Sequence, residues 1–288
     1  MCGIVGIASM GQRPAPTEEM IQEMCRTIIH RGPDGEGRHV EGGVGIGMRR
    51  LAVIDVAGGD QPIFNEDKTI RTVFNGEIYN FRGLRDELLK QGHHFTTHTD
   101  TEVIVHAYEE YGEAFPTVLN GMFAFALHDS RKKRLYLVRD HVGIKPLYYA
   151  YNGDYLVWGS EIKAILASGL VQARLSVDAL SEFLAWEYVP GSRTLIQEIH
   201  QIEPGQMMVI DLDGPGMKMS YYWDIPSEQE HDYSDRQWEE MLDEKLKVCV
   251  QRQLVSDVPL GAFLSGGVDS SLLVSAMGET ETFSLGLA

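Results

Sequence analysis

From residue 2 to about residue 190 the chain repeatedly sets short apolar runs between turn formers, a pattern that constrains its fold more than any other feature. The runs "CGIVGIA", "GVGIGM", "LAVIDV", "TIRTVFN", "MFAFALHD", "RLYLVRD", "PLYYAY" and "YLVWGS" are rich in Val, Ile, Tyr and Phe and are bounded by Gly, Asp or Asn. Such runs read as strands. Helices are expected near 17–29, 79–91 and 101–111; in the last, Val103, Ile104, Ala107 and Tyr108 form one apolar face. Many strands with helices grouped between them point to α+β layers rather than a βαβ repeat.

A second region begins after "EFLAWEYVPGSRTL" and a stretch punctuated by Pro and Gly, through "IEPGQ" and "DLDGPG" to "YYWDIPSEQE". A helix is expected over 236–252, with Trp238, Leu242, Leu246 and Val250 along one side. "VPLGAFLSGGVDSSLLVSAM" reads as strand, glycine loop and helix, and "ETFSLGLA" as a second buried strand. One such unit is too little for a stable parallel sheet, so this domain is expected to be incomplete. The expected division is 2–190, a connector over 191–235, and 236–288.

With 288 residues and 43% hydrophobic residues the chain can bury two cores. No apolar run approaches the roughly 18 residues of a membrane span and no signal peptide is evident, so a cytoplasmic location is expected. A net charge of −17 argues against a nucleic-acid partner. Cys2, Cys25 and Cys249 lie far apart without a CxxC pair, so neither a disulfide framework nor a zinc site is indicated.

Cys2 stands at the start of the first run, in "MCGIVG". Removal of Met1 would leave one residue with both a thiol and an α-amine, whose ordinary pKa of about 7.7 to 8.0 suits it to accept the thiol proton. A small buried hydrophobe opening a strand is the alternative. "SGGVDSS", Ser265 to Ser271, lies between a strand and a helix, where two glycines, several N–H groups and the helix N-terminus favour an anion such as pyrophosphate. It is not a Walker loop, and a plain turn with Asp269 or Ser270 as cap is the competing reading. "GGVGIG" at 42–47 is adequately explained as a strand allowing close backbone approach. His93, His94 and His98 invite a metal reading, but their spacing suits no ligand set.

"SGGVDSS" after a strand resembles the PP-loop of ATP pyrophosphatases. "MCGIVG", "HRGPDG", "RRLAVID", "FNGEIYN", "HTDTEVI", "GMFAFALHD" and "RDHVGIKPLYY" resemble the class II glutamine amidotransferase domain. In this order they resemble glutamine-dependent asparagine synthetases. The resemblance implies an α+β N-terminal-nucleophile hydrolase sandwich (αββα), followed by the beginning of an α/β PP-loop domain. It implies Cys2 as nucleophile on the glutamine amide, and Asn75 with the Gly76 N–H as oxyanion hole. Arg50 would hold the glutamine α-carboxylate and Asp100 the α-amine, with Glu77 and Ile54 nearby. Leu264, Ser265, Gly266, Gly267, Asp269, Ser270 and Ser271 would take the nucleotide, with Ser284 and Leu285 bordering the adenine and Asp269 a candidate Mg²⁺ ligand.

The implied reaction releases ammonia at Cys2 and uses it on a β-aspartyl adenylate made from aspartate and ATP, with Mg²⁺, giving asparagine, AMP and pyrophosphate. Met122 is a candidate for the ammonia path, against core packing. A homodimer is a candidate assembly. Alternatives are an amidotransferase acting on another carboxylate, on a sugar or a peptide, or a non-catalytic homologue that binds glutamine or nucleotide. The resemblance places the groups that choose the acceptor after residue 288. Taken alone, Arg50 could be a surface charge, Asn75-Gly76 a hairpin turn, and Asp100 a helix cap. "HRGPDG" and "RDHVGIKPLYY" are explicable as turns, the first expected to pack near the N-terminal site.

Overall fold

The structure is a computed structural model that describes residues 1–214, 216–227 and 231–286. The chain divides into two units, Met1–Ala52 with Ala57–Asp224, and Val53–Val56 with Ile225–Ala288.

In the first unit β1 (Gly3–Ser9) leads through α1 (Glu18–Arg26) to the hairpin of β2 (Gly35–Glu41) and β3 (Val44–Arg50). β4 (Ile63–Phe64) and β5 (Ile70–Ile78) follow, then α2 (Phe81–Lys90), a 3-10 turn over Asp100–Glu102 and α3 (Val103–Tyr111). Next come β6 (Gly121–Asp129), β7 (Arg134–Arg139), β8 (Tyr148–Tyr151), β9 (Tyr155–Gly159), α4 (Ile162–Ala167) and α5 (Val177–Trp186). β10 (Ile199–Gln201), β11 (Gln206–Asp211) and β12 (Met217–Tyr221) complete the unit.

These strands form two six-stranded sheets, ordered β10-β8-β9-β1-β3-β2 and β12-β11-β7-β6-β5-β4. Every neighbouring pair in them is antiparallel. The inner faces meet in one apolar layer, where Ile4, Ile46, Leu156 and Trp158 of the first sheet face Val73, Ala124, Leu137 and Met208 of the second. Strand alternation turns the intervening residues outward. Val5 and Ile7 then meet Ile21, Met24 and Ile28, with Ala164 and Ile165 of α4 beside them. On the outer side of the second sheet Tyr108 of α3, Phe115, Phe125 and Tyr136 pack ring to ring at 5.1–5.9 Å. The layers are therefore helix, sheet, sheet, helix, as expected.

Local signals explain the elements. Thr17 caps α1 by accepting from Met20 N, glutamates occupy the first turn, and Ile21, Met24 and Cys25 make its buried stripe. The "GVGIG" glycines let that stripe approach β3, since a Cβ on Gly47 would lie 2.6 Å from Ile21 and 2.8 Å from the Cys25 sulfur.

Two expectations for residues 1–235 fail. "LAVIDV" is a loop rather than a strand, and Asp55 in it takes φ of 51°, which a strand excludes. The expected connector over 191–235 instead contributes β10, β11 and β12 to the sheets, and the first unit runs to Asp224. β11 lies beside β7 with Met208 and Ile210 in the inter-sheet core, so the flanking Pro and Gly residues mark turns between strands.

In the second unit α6 (Asp235–Arg252) opens on a capping box between Ser234 and Gln237. β13 (Gly261–Phe263), α7 (Val268–Met277) and β14 (Glu281–Phe283) form a strand–helix–strand unit whose two strands are parallel. β14 is exposed, contrary to its reading as a buried strand, because these elements supply no layer that covers it. The last two residues of "ETFSLGLA" lie outside the described residues.

Candidate active site

Cys2 immediately precedes β1, whose Gly3 pairs with Arg49 of β3, so its side chain meets the segment leaving β3. The thiol accepts from Leu51 N at 3.3 Å, and Sγ lies 3.5 Å from Leu51 O. It packs against the inter-sheet layer. Burial, partly opposed by the Leu51 N–H, raises its pKa. Burial also lowers the pKa of the Met1 amine beside it.

β5 delivers the facing groups. Asn75 lies two residues along the strand from Val73, so its side chain faces the same inter-sheet layer that Cys2 packs against. It is 1% exposed, and neither Nδ2 nor Oδ1 has a hydrogen-bond partner in the structure. Asn75 pairs with Ala124 and Gly76 with Phe123, so this Asn-Gly lies inside a strand and is not a hairpin turn. A Cβ on Gly76 would lie 2.1 Å from Met122 O and 2.7 Å from Phe123 Cα, leaving room for glycine only.

The pairing also sets where the Gly76 N–H points. Phe123 N donates to Asp140 Oδ2 at 3.1 Å, and Phe123 O accepts from Asp140 N at 2.8 Å, so Phe123 faces away from β5. Gly76 must therefore turn its N–H to the opposite edge. Along that edge Phe74 N donates to Gln61 Oε1 at 2.6 Å and Ile78 N to Asp100 Oδ2 at 2.8 Å. The Gly76 N–H lies between these two claimed donors, beside the Asn75 amide.

Asp100 is 4% exposed. It is not the cap of the 3-10 turn, a role taken by Thr99, whose hydroxyl accepts from Thr101 N. Burial pushes its carboxyl up to about 6, against the pull of the Ile78 N–H. Glu77 is half-buried and is also raised by burial. Arg50 is a buried side chain rather than a surface charge, and its Nη1 meets the exposed Asp60 at 3.0 Å among its contacts. Ile54 falls in residues 53–56, which group with the second unit. Met122 sits opposite Glu77 in the β5–β6 register.

Three contributors were not singled out in the sequence. Arg31, inside "HRGPDG", donates from Nε to Cys2 O at 2.9 Å, and its buried Nη2 has no hydrogen-bond partner. Lys145 sits in a loop whose N–H groups at Val142, Ile144 and Lys145 all donate to Asp140. Its buried ammonium, with its pKa lowered by burial, interacts electrostatically with Glu77 and Cys2. Gln61 claims the Phe74 N–H and reaches Thr101 Oγ1 at 3.4 Å. Only "HRGPDG" and the lysine of "RDHVGIK" carried a signal, as motifs near turns.

In the second unit the "SGGVDSS" loop joins β13 to α7. Gly266 takes φ of 80°, and Gly267 is the helix N-cap with no side-chain capping bond, so neither Asp269 nor Ser270 caps α7. Ser265 Oγ lies 3.0 Å from Ser270 Oγ, while Ser270 and Ser271 hydroxyls donate back to Gly267 O. Leu264 N bonds Phe283 O at 2.9 Å, and Ser284 Oγ donates to Leu264 O at 2.7 Å, tying the loop to the end of β14. Leu285 is 95% exposed. No side chain caps the N-terminus of α7, and Asp269 lies in its first turn.

Comparison with known proteins gives matches over both units. A family described as glutamine amidotransferase domain matches residues 1–223, and one described as asparagine synthase matches 241–288. The glutamine-hydrolysing asparagine synthetase 1 of Bacillus subtilis is 38% identical over 99% of this chain and 46% of its own length. A putative asparagine synthetase of Methanocaldococcus jannaschii is 34% identical over 99% of this chain and 60% of its own, and asparagine synthetase 3 of Arabidopsis thaliana is 37% identical over 96% and 42%. The chain thus spans about half the length of these relatives. A solved PRPP amidotransferase from B. subtilis superimposes with a TM-score of 0.58 at 18% identity, covering 98% of this chain and 65% of that one, which supports the fold. Among the described residues no helix is long and apolar enough to cross a membrane.

Proposed function

The chain belongs to the glutamine amidotransferase domain family, and on that premise we propose that its first unit hydrolyses glutamine with Cys2 as nucleophile. The observation that carries this reading is the buried, unpartnered Asn75 amide facing the same layer as the Cys2 thiol. A buried polar group without a partner costs about 1–3 kcal/mol. An arriving oxyanion would satisfy the Asn75 Nδ2 and the Gly76 N–H together.

Loss of Met1 frees the Cys2 nitrogen as an α-amine. It takes the thiol proton, directly or through one water, and Sγ adds to the side-chain amide carbon of glutamine. Asn75 and Gly76 hold the oxyanion. The amine returns the proton to the leaving nitrogen, ammonia departs, and water hydrolyses the γ-glutamyl thioester to glutamate. Arg50 binds the α-carboxylate, and Asp100 with Glu77 the α-ammonium, matching the two charges of the substrate. Burial disfavours a free thiolate, so an adjacent base is needed.

For the second unit we propose the opening of an ATP site. The "SGGVDSS" loop and α7 N-terminus take pyrophosphate oxygens, and Leu264, Ser284 and Leu285 border the adenine. Asp269 fits a Mg²⁺ that is also held by phosphates, since Mg²⁺ favours oxygen ligands with one or two carboxylates. The names of the relatives support glutamine-dependent formation of asparagine as the reaction of the whole protein; on this reading the ammonia acceptor is a β-aspartyl adenylate, the location is the cytoplasm, and Met122 lies beside the ammonia path.

The test assays glutamate release without ATP from the chain and from Cys2→Ala, with intact mass checking Met1 removal. The parent should produce glutamate and start at Cys2. Glutamate production by Cys2→Ala at the parent rate would overturn the assignment.

A further inference from the structure

We propose that Glu66, His93, His106 and Glu109 form a binding site for a divalent transition-metal ion, with zinc the best fit. These residues come from the turn between β4 and β5, the loop after α2, and α3. One donor atom from each lies within 4.8 Å of all the others. His106 Nδ1 is 3.4 Å from Glu109 Oε2 and 3.6 Å from Glu66 Oε2. His93 Nδ1 is 3.7 Å from Glu109 Oε2 and 3.9 Å from Glu66 Oε1. Zinc–nitrogen and zinc–oxygen bonds of about 2.0–2.2 Å place the corners of a tetrahedron about 3.3–3.5 Å apart. The remaining donor pairs are held only to within 4.8 Å, so seating an ion draws these side chains together by as much as about 1.5 Å.

The surroundings favour a metal over an ordinary ion-pair cluster. Both imidazoles turn Nδ1 inward, and each presents Nε2 to an outer carboxylate: His106 to Glu102 Oε1 and His93 to Glu110 Oε2, both at 3.7 Å. At 3.7 Å neither pair is a hydrogen bond in the metal-free chain; closing them on binding would give the carboxylate–histidine–metal arrangement that fixes ligand orientation. His106 is 0% exposed, and its Nε2 has no hydrogen-bond partner. The carboxylates are anchored as well, with Asn65 Nδ2 donating to Glu109 Oε1 and His94 N to Glu66 Oε1, both at 2.8 Å. Two imidazoles facing four carboxylates leave an excess of negative charge that a divalent cation offsets. The donor set of imidazole nitrogen and carboxylate oxygen suits zinc. Such an ion would tie α3, and the Asp100–Glu102 turn before it, to the β4–β5 turn.

The test uses the full chain stripped with EDTA and then titrated with Zn²⁺ or Co²⁺. Binding of one equivalent is expected, with the visible absorption of tetrahedral Co²⁺ and a rise in melting temperature that EDTA reverses. Cys2→Ala should bind equally, which separates this site from metal held by the nucleophilic thiol. His93→Asn and Glu66→Gln alter partly exposed side chains, and each should abolish the cobalt bands and the thermal shift. The proposal is overturned by absence of stoichiometric uptake, by cobalt bands lacking tetrahedral character, or by uptake undiminished in both ligand variants.

Discussion

The Asn75 amide sets function against stability, and its truncation tests both. In the resting protein Nδ2 and Oδ1 are buried and unpaired. Asn75→Ala therefore deletes no hydrogen bond and removes an unsatisfied group worth about 1–3 kcal/mol. The lost atoms leave a small void whose cost is of similar size and opposite sign, so the net change in stability should lie within about 1 kcal/mol of zero. On the proposed mechanism the same amide donates to the oxyanion in the transition state, and removing one such donor typically costs about 10²–10³ in kcat, or roughly 2.7–4 kcal/mol. Glutamate release at saturating glutamine, with urea unfolding on the same preparations, measures both. A fall in kcat of less than tenfold would refute the oxyanion role. Destabilisation beyond about 2 kcal/mol would show that the amide has a structural task that its environment does not reveal.

Arg50→Ala should mainly raise KM for glutamine while kcat changes little, because the guanidinium meets the same carboxylate in ground and transition states; steady-state kinetics decide it. Asp100 should make glutamine use depend on pH. Its carboxyl, at about 6 in the folded chain against an ordinary 3.8, must ionise to pair with the α-ammonium, so kcat/KM should rise as pH climbs through about 6, and Asp100→Asn should remove that limb. The sign for stability is opposite: the folded state binds the extra proton, so the contribution of Asp100 falls as pH rises from about 4 to about 6 and is constant outside that window, as urea unfolding across pH will read. Gly76→Ala should destabilise by at least about 1–3 kcal/mol, since its Cβ would meet the backbone of β6 at 2.1 Å, and a neutral melting temperature would contradict that packing.

Much of this protein was legible in order along the chain. Short apolar runs bounded by turn formers located β1, β3, β5, β6, β7, β8 and β9, helical stretches were expected at α1 and α2, and apolar spacing located α3 and α6, because these signals depend on near neighbours. The motifs containing Cys2, Asn75 and Asp100 were legible for the same reason, and the fold places Asn75 on the inter-sheet face that Cys2 packs against. The strands within 199–221 were missed: β10 and β12 are short edge strands, and β11 between β12 and β7 sits among Pro- and Gly-rich turns, so all three are fixed by pairing with β8, β11 and β7.

Asn75-Gly76 shows where local reading stops. The dipeptide alone fits a hairpin turn, but opposite β6, with Gln61 and Asp100 holding the N–H groups on either side, it becomes a strand presenting an unpaired amide. Asp100 could have been a cap, yet Thr99 takes that task and the carboxylate turns to Ile78 N. Likewise the spacing of His93, His94 and His98 held no ligand set, because the fold brings His93 to residues 66, 106 and 109. The sequence by itself determined which stretches become strands and helices and which residue types can perform the chemistry. Only the tertiary structure decided which polar groups find partners within the chain and which are left buried for a ligand, since those partners lie tens of residues apart and meet only when the two sheets pack.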